Sequence, residues 1–123
     1  MATFTKFEDI KAWQKAREVT RTIYELTAND RFARDFGLRD QIRRAAVSIM
    51  ANIAEGFGRH SDKEFSYFLS MSHGSIAEVQ SHLYIALDLR YIEQKDFSML
   101  YRSLDETSRM TLALAQHLRK PKP

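Results

Sequence analysis

Both prolines of this chain, Pro121 and Pro123, lie within its last three residues, and only four glycines are spread over all 123 positions. A fold made of many short strands needs tight turns, and tight turns draw heavily on those two residue types. The apolar residues instead recur at helical spacing from end to end. The first helix is read over residues 8 to 28, with Ile10, Trp13, Ala16, Thr20, Ile23 and Thr27 on one face and Lys11, Lys15, Glu18 and Glu25 opposite. Asn29-Asp30 breaks it, and Asp30 to Gly37 reads as a polar connection with Phe32 and Phe36 tucked inward.

The second helix, residues 38 to 56, is apolar around most of its circumference. Leu38, Ile42, Ala45, Ile49 and Ile53 form one stripe, Val47, Met50 and Ala54 a second, with Gln41, Arg44, Ser48, Asn52 and Glu55 as a narrow polar strip. Such a helix is buried from more than one direction. In a chain this small the second covering surface is expected to be another subunit. Gly56 or Gly58 would end it with a positive φ.

Ser61-Asp62-Lys63-Glu64 reads as a capping box opening the third helix. Its inward stripe runs Phe65, Phe68, Leu69, Ser72, Ile76, Val79 and Leu83, and the small residues Ser70, Ser72, Gly74 and Ser75 would let a neighbouring helix approach closely. After a turn at Arg90 to Glu93, a fourth helix spans residues 94 to 119, with Ile92 and Phe97 placed as a hydrophobic staple. Short links between long amphipathic helices favour antiparallel neighbours. The expected fold is therefore an all-α, up-down-up-down antiparallel four-helix bundle. Residues 1–119 form its single domain, followed by a disordered C-terminal tail at 120–123.

Composition narrows the function classes. The hydrophobic fraction of 44% and charged fraction of 28% are those of an ordinary globular domain. With no cysteine, disulfides and thiolate metal sites are excluded. Charged residues arrive before any apolar run at the N-terminus, so no signal peptide is expected. No stretch approaches the roughly 20 apolar residues of a membrane span. The expectation is a cytoplasmic protein without a membrane partner. A pI near 9.3 rests on a net charge of only +3, a weak hint of an anionic partner.

Catalytic signatures are missing. His60, His73, His82 and His117 form no metal-binding spacing, and the Glu-x-x-His step of di-metal bundles does not occur. Glu78 and His82, one turn apart, are accounted for by a helix-surface hydrogen bond. No Gly-x-Ser-x-Gly elbow is present, and Gly56-Phe57-Gly58-Arg59 is too short for a phosphate loop. Accordingly no catalytic residue, metal or cofactor is expected, and the chain reads as non-enzymatic. Ser48, Asn52 and Glu55, at i, i+4 and i+7, are expected to bond a facing helix or subunit, since leaving them buried and unpaired would cost about 1–3 kcal/mol each. The functional lead is basic: Arg39, Arg43, Arg44, Arg59 and Lys63, with Arg31 and Arg34 just before them. The planar guanidinium fork suits phosphate, although Asp35, Asp40, Glu55 and Asp62 are interspersed and could neutralise the set.

The run from Gln41 to Arg59, with Asn52-Ile53-Ala54-Glu55-Gly56 at its heart, closely resembles the signature of the 23S rRNA-intervening sequence protein family. Phe7, Asp9, Trp13, Gln14 and Ala16 are similar to that family's opening motif, and Phe68, Leu69, Gly74, Ser75 and Glu78 to its third-helix pattern. Two departures are Phe32-Ala33-Arg34, where the family usually has Phe-Pro, and Ser72-His73 before Gly74. The resemblance implies a four-helix bundle assembled as a homopentameric, barrel-like ring. Some relatives are encoded inside intervening sequences of large-subunit ribosomal RNA. Similar proteins accompany the reverse transcriptase of diversity-generating retroelements, where a basic barrel binds nucleic acid and the polymerase.

Two readings follow. In the first, an oligomeric bundle binds RNA or DNA backbone through Arg39, Arg43, Arg44, Arg59 and Lys63, with Val47, Ser48, Met50, Asn52, Ala54 and Glu55 as structural or interface residues. In the second, the bundle is a protein-interaction scaffold that recruits a partner such as a reverse transcriptase and touches no nucleic acid.

Overall fold

Residues 4–121 are described by a computed structural model. A 3-10 turn at Phe7–Asp9 precedes helices α1 (Lys11–Thr27), α2 (Asp30–Arg34), α3 (Phe36–Gly58), α4 (Asp62–Asp88) and α5 (Gln94–Arg119). The four long helices pack α1 on α3, α3 on α4, α4 on α5 and α5 on α1. At each sequential step the bonded positions rise along one helix as they fall along the next: Thr20 with Ala46 and Thr27 with Arg43, Ile49 with Ser72 and Ser48 with Ser75, Ser70 with Arg119 and Gln80 with Asp105. That is the antiparallel bundle expected from the short links.

The first helix starts later than its periodicity suggests. Ile10 is the N-cap, in extended conformation, and its side chain is buried in the core. Before it, the Asp9 carboxylate accepts from the Thr5 hydroxyl at 2.9 Å, which holds Asp9 below the usual carboxylate range. The connection after α1 is not wholly irregular, because Asp30–Arg34 closes one more helical turn around the buried Phe32. Phe36 does not tuck inward. It opens α3 and is 63% exposed.

Gly56 and Gly58 are both helical, and no glycine has a positive φ; the left-handed position after α3 belongs to His60, at φ 56°. Gly56 is needed for space instead. A Cβ there would lie 2.7 Å from the Phe68 Cβ and 3.0 Å from the Phe65 Cδ1. Only a hydrogen atom lets α3 and α4 meet this closely. Gly74, in contrast, faces open space. The small residue that brings α4 close to α3 is Ser72, fully buried with its hydroxyl donating to the Ile49 carbonyl at 2.8 Å.

Half of the capping box at α4 is made. Ser61 accepts from the Glu64 amide at 3.3 Å, while the Glu64 carboxylate turns to Arg59 at 3.7 Å. At α5 the Glu93 amide donates to Asp96, a cap with no Ser or Thr to announce it, and Ile92 and Phe97 are both buried as the staple requires. The expected unpacked tail falls partly on Lys122 and Pro123, which lie outside the described residues; Lys120 and Pro121 are exposed.

One ion pair closes the bundle between its first and last helices: Lys15 Nζ lies 2.7 Å from the Glu106 carboxylate. The hydrogen bond and charge of Lys15 hold Glu106 below its ordinary pKa of 4.5. A carboxylate depressed in the folded state stabilises the fold above its unfolded pKa. That contribution is lost as pH falls through the lower folded value. Acid titration of melting temperature should therefore show a smaller loss below pH 4.5 in Glu106→Gln than in the parent; equal losses would show that the pair contributes nothing.

Candidate nucleic-acid interface

Placing the expected basic residues on α3 and α4 divides them. Twenty residues of helix separate Arg39 from Arg59, about 30 Å along the axis. Arg39, Arg43 and Arg44 therefore sit at the bundle end that also carries α2, and Arg59 and Lys63 at the other. They do not form one patch.

At the far end Arg59 is engaged. Its guanidinium pairs with Glu55 at 2.7 Å and Glu64 at 3.7 Å and lies over the Phe68 ring, with its pKa raised chiefly by the Glu55 hydrogen bond. Lys63 is exposed and makes no ion pair among the described residues. Glu55 thus serves Arg59 rather than the polar strip. Ser48 and Asn52 do form an interhelix network: the Asn52 amide donates to the Ser48 carbonyl and hydroxyl, and the Ser75 hydroxyl reaches Ser48 at 2.9 Å.

The α2 end is the more arginine-rich. Arg43 holds the last turn of α1, donating to the Thr27 hydroxyl at 2.7 Å and, alongside that hydroxyl, to the Tyr24 carbonyl at 3.3 Å, one of the carbonyls at a helix C-terminus that lack a backbone partner. Arg39 donates to the Ala33 carbonyl and to Asp40. Arg44 is exposed without an ion pair among the described residues. Arg31, Arg34 and Arg90 are exposed around them, and Arg34 pairs with the exposed Asp30 at 3.7 Å. Two roles thus share this end: Arg43 and Arg39 fasten loops, and Arg31, Arg34, Arg44 and Arg90 remain available to solvent.

Aromatic rings accompany these guanidinium groups. Arg43 lies 4.5 Å from the centroid of Tyr24, Arg39 4.9 Å from Phe36, and Arg31 5.3 Å from Tyr91. Tyr91 also stacks on the buried Phe32 and donates its hydroxyl to Asp35 at 2.9 Å, a bond that raises its pKa and keeps the phenol protonated. Asp35 accepts as well from the Leu38 amide as the N-cap of α3. Arg31, Arg34, Asp35, Phe36, Gly37 and Tyr91 line a shallow cleft of about 560 Å³. A helix begun at residue 38, as the periodicity suggests, leaves this aromatic wall out, because α3 starts at Phe36. With α3 begun at Phe36, the helical phase sets Phe36 on the outward side, in line with Val47 and Ala54.

A different surface lies on the outer faces of α3 and α4. Val47 and Ala51 on α3 and Tyr67, Met71 and Ile85 on α4 are exposed, while Met50 and Ala54 are half-buried. Elsewhere, His82 keeps both ring nitrogens buried without a hydrogen bond, since Glu78 stays 3.6 Å away. Among the described residues no three histidine, aspartate or glutamate side chains converge as metal ligands, and no helix is long and apolar enough to cross a membrane.

The model of the 23S rRNA-intervening sequence proteins matches residues 8–113, which takes in α1, α3, α4 and most of α5. The chain belongs to that family. Its fold is also that of a solved Bacteroides thetaiotaomicron protein of unknown function from the S23 ribosomal protein family, with a TM-score of 0.78 at 21% identity, covering 85% of this chain and 98% of that one. No curated protein matches the chain. For this member of the intervening-sequence family, the signature segment Gln41–Arg59 now has a physical meaning. It is α3, whose Ile42, Ala45, Ala46, Ile49 and Ile53 fill the core, whose Asn52 bonds the Ser48 turn, and whose Gly56 admits α4.

Proposed function

We propose that this family member is a non-catalytic, self-associating helical bundle that binds the backbone of RNA or DNA through the arginines of its α2 end. The observation that carries the reading is the placing of four exposed arginines, Arg31, Arg34, Arg44 and Arg90, at that end; among the described residues the ion pair any of them makes is that of Arg34 with the equally exposed Asp30, 3.7 Å away. Lys63 at the opposite end would add a weaker contact. Self-association is supported by the uncovered apolar residues of α3 and α4, which single-chain packing leaves in water. A closed ring, five-fold as the family resemblance implies, would repeat each arginine group and raise its effective concentration for a polyanion.

The test is a gel-shift titration of mixed-sequence RNA and DNA at low salt, with the parent, an Arg31→Glu/Arg34→Glu variant and Lys63→Glu. The double reversal should abolish most of the binding across all sequences and Lys63→Glu only a small part. Equal binding by parent and double variant would overturn this assignment of residues. The same apolar surface favours a second reading, in which it recruits a partner protein such as a reverse transcriptase, and nucleic acid contributes nothing.

A further inference from the structure

Phosphate contacts alone make no distinction between paired and unpaired strands. Phe36 adds a feature that backbone binding does not use. Its ring is 63% exposed although it begins a well-formed helix, and no other aromatic ring of the described residues packs on it. One guanidinium, Arg39, rests on it at 4.9 Å, and the ring forms a wall of the cleft shared with Arg31, Arg34 and Tyr91. Leaving a phenyl ring in water costs free energy that a polar side chain at this position would avoid. Among the described residues, the Arg39 guanidinium is the ring's one cation or ring partner.

We infer that this cleft takes one unpaired base of a single-stranded nucleic acid, stacked on Phe36, with Arg31 and Arg34 on the flanking phosphates. The inference rests on the proposed nucleic-acid binding and deepens it. An exposed aromatic face beside solvent-exposed guanidinium groups is the usual means of holding unstacked bases, and stacking tolerates any base because each has a π-face. Arg34 would leave its exposed partner Asp30, 3.7 Å away, to reach a phosphate. A duplex keeps its bases inside the stack and cannot offer one. The Asp35 carboxylate lining the cleft is already occupied by the Tyr91 hydroxyl and the Leu38 amide, which moderates its repulsion of a phosphate. An acidic peptide could meet the same arginines, but it would have no planar group for the ring.

The experiment is fluorescence anisotropy with a labelled 12-nucleotide single strand, as RNA and as DNA, and with the duplex of the same sequence, using the full-length protein, Phe36→Ala and Phe36→Tyr. Phe36→Ala should weaken single-strand binding at least about fivefold, the low end for loss of one stacked base. Duplex binding should not change, and Phe36→Tyr should restore the single-strand affinity. Equal single-strand binding by Phe36→Ala and parent would overturn the inference while leaving backbone binding in place. A fall in duplex affinity of the same size would overturn it too, as would a change in oligomer size in Phe36→Ala, which would place the ring in a subunit contact. Binding of an acidic peptide but of neither strand form would remove the inference and the proposed function together. The RNA and DNA arms show whether the sugar contributes.

Discussion

Gly56→Val is expected to lower the melting temperature by roughly 5–15 °C, the largest loss of stability from any single glycine replacement in the chain. The added Cβ would stand 2.7 Å from the Phe68 Cβ, which is fixed to the α4 backbone and cannot swing aside as the end of a long side chain can. Overpacking of this kind costs about 1–3 kcal/mol. For a domain of this size each kcal/mol moves the midpoint by some ~3–6 °C. Gly56→Ala makes the same clash but recovers about 1 kcal/mol of helix propensity, so its loss should be smaller. Gly58→Ala supplies the control, because nothing lies within 4 Å of its Cβ, and it should be neutral or stabilising. Thermal unfolding followed by circular dichroism decides the matter. Equal midpoints for Gly56→Val and Gly58→Ala would mean that α3 and α4 are not held as close as described.

Met71→Glu/Ile85→Glu is expected to convert the assembly to a 14.4 kDa monomer that remains helical. Both side chains are about half exposed on the outer face of α4, so the isolated bundle tolerates a carboxylate at either place. A subunit interface does not, since burying unpaired charges against apolar groups costs several kcal/mol each. Sedimentation velocity at micromolar concentration reads the result. A parent protein that already runs as a monomer would remove self-association from the account. An unchanged assembly in the variant would move the contact away from α4.

The same residues show what the sequence could and could not disclose. Helical spacing is a local property, so the four long helices and their inward stripes were legible from periodicity. Helix ends depend on caps, and these were read less well. Ile10 leaves the first helix because its side chain is needed in the core, and Glu93 caps α5 through Asp96 without a serine or threonine. Gly56 looked like a stop signal because glycine favours both left-handed turns and close approach, and only the position of Phe68 distinguishes the two. The basic set was legible as arginines but not as a place. Separation along a helix axis divides Arg39 from Arg59, and partners on α1 decide that Arg43 holds a helix end. The Ser48–Asn52 strip was recognised as bonded, whereas Glu55 at the next position belongs to Arg59 one turn further on.

Salt dependence separates phosphate-backbone contacts from every other kind of contact. Each neutralised phosphate releases counterions, so the logarithm of the binding constant falls with the logarithm of salt by about 0.9 per duplex contact and about 0.7 per single-strand contact. An assembly presenting Arg31, Arg34, Arg44 and Arg90 from several subunits should give a slope of several units with mixed-sequence RNA and DNA, reduced by reversing Arg31 and Arg34. No retention by the intact protein at low salt, or retention that does not weaken as salt is raised, would contradict backbone binding and give first place to the protein scaffold.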